Sequence, residues 1–120
     1  MEYSIHTDLK YRPLELIDAG ATADQCREKW WNQSLCQVND CVVRLGVFEG
    51  EFHWHKHDRE DELFYVVEGR LFVDVEGRGS FELEPRQGVM VPRGVVHRTR
   101  APSRTVVLMI EAASVKPTGD

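Results

Sequence analysis

Residues 53–69 read HWHKHDREDELFYVVEG and residues 91–98 read VPRGVVHR. The first stretch carries His55 and His57 one residue apart and Glu62 five positions further on; the second carries His97 behind a Pro-x-Gly turn. Neutral imidazoles and a carboxylate are the usual protein ligands of zinc, iron, nickel, copper and manganese. In an extended chain the side chains at i and i+2 leave the same face, so His55 and His57 can point at one ion. A second strand can bring Glu62 to that point and a distant one His97. The pattern predicts a site for one divalent metal ion per chain, its identity among these five left open.

The same residues resemble the two cupin motifs. His55-x-His57-x4-Glu62-x6-Gly69 is similar to the first, and Pro92-x-Gly94-x2-His97 to the core of the second. The resemblance runs from about Val42 to Ile110, and the run Gly50-Glu51-Phe52-His53-Trp54-His55-Lys56-His57 is similar to small single-domain cupins that read GEF-x-WHxH, some of them described as mannose-6-phosphate isomerase-like. Three positions depart from the pattern: Glu49 and Arg86 stand where glycines usually open the two motifs, and Ala101 where an asparagine often follows. None of the three is a ligand. The resemblance implies an all-β fold, a small double-stranded β-helix or jelly-roll barrel, with His55, His57, Glu62 and His97 as metal ligands pointing into the lumen. Glu60 and Asp61 compete with Glu62 as residue types, but the motif spacing selects Glu62.

The 120 residues suit one domain with one core. With 42% hydrophobic and 29% charged residues the composition is that of a soluble globular protein. There is no apolar run of membrane-spanning length and no apolar stretch in MEYSIHTDLKYRP, so a cytoplasmic protein without membrane contact is expected. A net charge of −5 argues against nucleic acid as a partner. Arg93, Arg98, Arg100 and Arg104 cluster around His97; they are either a solvated face paired with acidic residues or an electropositive rim. Cys26, Cys36 and Cys41 form no CxxC and no even set, so free thiols are expected, with Cys41 in a strand core.

Residues 1–33 are read as an N-terminal, partly helical segment packed on the barrel. Its helix is expected over the run from Ala21 to Trp31 with a cap at Thr22 or Asp24, and Trp30 and Trp31 are expected to cover a barrel end or a subunit contact. Residues 34–113 form the barrel, as short β-prone runs (CVVRLGVF, ELFYVVEG, RLFVDVEG, SFELEP, GVMVP, VVHRTR, TVVLMIEA) punctuated by turns at Asn39-Asp40, Glu68-Gly69 and Gly77-Arg78-Gly79. Residues 114–120 are expected to be a loose tail. Alternation places Glu51 and His53 inside with His55 and His57, Phe64 and Val66 with Glu62, and Val95 and Thr99 with His97.

Nothing in the chain matches a nucleophile elbow, a P-loop, an HExxH helix or a dinucleotide fingerprint. The expected activity is Lewis-acid or dioxygen chemistry on a small organic molecule, of the kind run by cupin oxygenases, decarboxylases or isomerases. His53 and Glu62 are the candidate proton-handling residues. The rival is a non-catalytic, metal-bearing module that binds or senses a small ligand. A homodimer is expected in either case, because an exposed strand edge needs cover.

Overall fold

The longest strand organises the molecule. Nine elements follow one another through residues 2–120, those described by this computed structural model: β1 (Ser4–His6), α1 (Ala19–Asp24), β2 (Trp30–Val38), β3 (Cys41–Glu51), β4 (Glu62–Glu68), β5 (Leu71–Val75), β6 (Gly79–Leu83), β7 (Gly88–Val91) and β8 (His97–Ala112). At 16 residues β8 is long enough to serve two walls. Its first part pairs with β5, its last part with β4, and β3 runs antiparallel beside both. The path β1-β2-β3-β8-β4-β7, with β5 and β6 branching from β8, curls around a lumen without closing: an all-β, jelly-roll type of fold.

Period-two alternation explains which residues fill that lumen. Phe48 on β3, Phe64 and Val66 on β4, Val73 on β5 and Val107 and Met109 on β8 face one another in the main core. Leu45 and Val47, in the opposite phase of β3, pack outside against Ala23 of α1 and Leu35. The turns fall where they were expected. Gly69 sits at φ +86 with so little room that a β-carbon would lie 2.6 Å from Thr105 Oγ1, so glycine is required there. Arg86, one of the departures from the motif, adopts a left-handed conformation that favours glycine, at φ +69.

Four expectations need correction. The helix is earlier and shorter than expected, Ala19–Asp24, capped by Asp18, whose Oδ1 accepts from Ala21 N at 2.9 Å. Trp30 belongs to β2 and stacks on Phe48 inside the lumen; burial of that indole outweighs local helix propensity. Cys41 opens β3 at a hairpin and is exposed. Residues 114–120 are not loose: Asp120 N donates to Lys56 O at 2.9 Å, and Ser114 Oγ donates to Glu60 at 2.8 Å.

Candidate metal centre

His55, His57, Glu62 and His97 come together at one end of the lumen, each offering a ligand atom within 4.8 Å of the others. Glu62 opens β4 and His97 opens β8, while His55 pairs with His97 in an isolated antiparallel bridge closed by two backbone hydrogen bonds of 2.9 and 2.8 Å. Pro92-x-Gly94 supplies the turn: Gly94, at φ +80, donates its N–H to His57 O at 2.8 Å. His57 and His97 are almost fully buried, at 2% and 1% exposure.

The alternation expected for residues 51–57 fails upstream of His55. The chain leaves regular strand after Glu51, so Phe52 enters the core while Glu51 and His53 stay exposed. His53 therefore lies outside the lumen, with its ring stacked on Phe52 and its Nε2 2.6 Å from Thr118 O. Among the competing acids, Asp61 faces out and accepts from Arg93 N at 2.9 Å, and Glu60 is taken by Ser114. The arginines near His97 are paired as a solvated face would be. Arg98 and Arg100 both bind Asp74 Oδ2, at 2.9 and 2.8 Å, Arg93 faces Asp61, and Arg104 donates to Ala23 O.

The donor set fits a cation. His55 and His97 each have Nδ1 against a backbone carbonyl, those of His53 and Val95, at 3.0 and 2.9 Å. Donation to those carbonyls fixes the tautomer and leaves Nε2 with a free lone pair. His57 Nε2 and His97 Nε2 face Glu62 Oε1 at 3.3 and 3.4 Å, yet both nitrogens and that oxygen lack a hydrogen-bond partner although buried. Buried polar atoms are rarely orphaned. Two ligand atoms about 2.0–2.1 Å from a shared ion stand roughly 3.0–3.4 Å apart, which is the spacing of Glu62 Oε1 from His57 Nε2 and His97 Nε2. Electrostatics agree in direction at His55 and Glu62. Burial pushes the His55 imidazole down to about 4, keeping it neutral. Burial also works against ionisation of Glu62, but the imidazoles of His57 and His97 facing its Oε1 hold its carboxyl below the usual range. Burial opposes protonation of His57 as well, and the neighbouring Glu62 outweighs it and raises that imidazole.

Two features of the site were missed by the sequence reading. Residues 114–120 cross the mouth: Pro117 lines the cavity beside His55 and Glu62, and the Gly119 backbone lies against the His55 ring. Behind this roof, between Trp30, Phe52, Phe64, Thr99 and Met109, the cavity has a free volume of only about 20 Å3. The second feature is a buried polar chain, Asn32, Ser34, Arg44 and Glu111, on the far side of Glu62. Arg44 was legible as a charge in the middle of the apolar run CVVRLGVF; the tail carried no periodic signal.

Fold and site together define a single-domain jelly roll with a pocket of three histidines and a glutamate. The chain belongs to the cupin domain family (Cupin_2), which it matches over residues 41–112. It is 45% identical over 91 residues to the Bacillus subtilis protein YdbB, covering 76% of this chain and 80% of that one. A shorter match, 48% identity over 46 residues, covers 38% of this chain and 29% of the polyketide synthase CurC of Streptomyces cyaneus. Among solved structures, a cupin-2 domain protein of Shewanella frigidimarina superposes with a TM-score of 0.76 at 28% identity, over 81% of this chain and 94% of the other. Among the described residues, no helix is long and apolar enough to cross a membrane.

Proposed function

We propose that this cupin holds one divalent ion, zinc, iron, nickel, manganese or copper, through His55, His57, Glu62 and His97, and acts on a small organic molecule. The carrying observation is the set of buried, unpartnered nitrogens and oxygen converging at one end of an apolar lumen. Such an ion supplies Lewis-acid polarisation or, if redox-active, dioxygen chemistry. The chain itself excludes water with Trp30, Phe52, Phe64 and Met109 and offers Asn32 and Thr99 as polar contacts. Glu62 is taken up as a ligand in this reading, and His53 stands outside, where it can exchange protons with a ligand only when residues 114–120 move aside. The match to part of a protein named as a polyketide synthase supports an organic substrate with carbonyl groups. Turnover of diketones, flavonols, keto acids and sugar phosphates by metal-loaded protein tests this reading; binding without turnover across the panel rejects the enzyme.

A second reading, a non-catalytic module that binds or senses a small ligand, draws support from the tight cavity and from the absence of a free acid–base group inside it. A homodimer fits either reading. Val43, Ile110, Leu63 and Met90 form a row of register partners across the outer face of β3, β8, β4 and β7, with Met90 and Ile110 exposed, and a second copy would cover them. Sedimentation of the untagged protein checks it.

A further inference from the structure

Behind Glu62 the lumen holds more charge than a core of this size needs. Glu111 on β8 lies directly opposite Glu62 on β4 in the antiparallel register. Arg44 on β3 approaches it, Nε standing 3.6 Å from Glu111 Oε1. The other guanidinium nitrogens donate to Ser34 Oγ at 2.6 Å and to Asn32 Oδ1 on β2. Arg44 and Glu111 are 2% and 3% exposed, and neither lines the cavity. The chain therefore spans four strands, from β2 through β3 and β8 to the carboxylate on β4, and touches no ligand space except at Asn32.

Stability does not account for it. Desolvating a guanidinium and a carboxylate costs about as much as their attraction returns, and apolar side chains of similar volume are often equally or more stabilising. Two carboxyl groups placed opposite each other across strands are unfavourable by themselves. Glu111 Oε2 even lacks a hydrogen-bond partner. What the chain does provide is direction. Glu111 stands opposite Glu62 in the strand register, Arg44 meets Glu111 from β3, and Glu62 Oε1 faces His57 Nε2 and His97 Nε2 at 3.3 and 3.4 Å.

We infer that Arg44 and Glu111 are positioning residues that hold the Glu62 carboxylate in place for metal binding. This rests on the metal-site reading above. Groups that orient a ligating carboxylate typically account for 10–100-fold in metal affinity.

The test uses cobalt(II) as the probe on the full chain, with affinity measured by chelator competition, the visible spectrum recorded, and metal-free thermal stability measured alongside. The double variant Arg44→Met/Glu111→Leu is expected to bind cobalt(II) about 10–100-fold more weakly, with an altered spectrum, while its metal-free form melts no lower than wild type. The single variant Glu111→Gln, which keeps the shape and replaces the carboxyl group with an amide, is expected to weaken binding about 10-fold and decides the matter should the double variant not fold. Wild-type binding with both affinity and spectrum unchanged in the variants overturns the inference alone. No cobalt binding by wild type overturns the metal reading, and the inference with it.

Discussion

Gly119 lies flat against His55: a β-carbon at position 119 would stand 2.5 Å from His55 Cβ, and the residue holds φ +95. The contact belongs to a roof fastened at both sides, by Thr118 O on His53 Nε2 and by Asp120 Oδ2, which accepts from Asp58 N at 2.6 Å. With about 20 Å3 free beneath it, the roof is expected to slow access to the four ligand-type residues. Asp120→Ala removes one charge-assisted hydrogen bond from an exposed anchor. It is expected to speed extraction of bound metal by an external chelator about 3- to 10-fold. Gly119→Ala, pushed off by His55, should act in the same direction. Stopped-flow extraction rates equal to wild type in both variants would mean that the roof is not the barrier.

Arg86 illustrates strain that the chain tolerates. It holds a left-handed conformation that favours glycine and closes the turn by donating its N–H to Val66 O at 2.9 Å. A non-glycine residue in that region is disfavoured by about 1–2 kcal/mol. Arg86→Gly is therefore expected to stabilise the fold, by about 1 kcal/mol after the added freedom of the unfolded glycine is subtracted. Urea denaturation measures it; a lower midpoint would show that the arginine side chain contributes more than its backbone costs.

Asp74 sets an acid limit for the barrel wall. Burial alone would raise its pKa, but hydrogen bonds from Arg100, Ser80 and Arg98 hold it down to about 2. An unfolded aspartate titrates near 3.9, so as the pH falls the unfolded chain takes up this proton first. Its contribution is complete above about pH 4 and disappears towards pH 2. The two arginines remain 26% and 30% exposed, so screening trims the full shift to about 1–2 kcal/mol. Asp74→Asn should be less stable than wild type by that amount at pH 7, with the gap closing between pH 4 and pH 2. Parallel stability curves through that window would contradict the assignment.

Trp30 joins core and cavity. Its ring stacks 4.2 Å from Phe48 and 5.5 Å from Phe52, is 1% exposed, and walls the space beside His55. Trp30→Ala is expected to lose about 3–5 kcal/mol of stability, and Trp30→Phe much less. Equal losses for both would point to the indole N–H rather than packing.

How much of this was readable before folding depends on how local each signal is. The strands and hairpins were legible because β-branched runs and turn residues such as Asn39 and Gly69 act over a few positions. The histidines and Glu62 were legible because motif spacing survives any detail of packing. His53 was placed on the wrong side because strict alternation was carried through residues 52–54, where the chain is no longer strand. Trp30 was placed in a helix because its partner, Phe48, is 18 residues away and only burial against it favours a strand. The roof and the Arg44–Glu111 chain depend on contacts between residues far apart in sequence, which neither composition nor periodicity records.

The metal content of untagged protein purified from cells grown with mixed divalent metals, beside a His55→Ala/His97→Ala variant, decides whether the four residues hold an ion. Close to one ion per chain is expected in wild type, and its loss in the folded variant. A folded wild-type protein that carries no metal and takes none up on dialysis would contradict it.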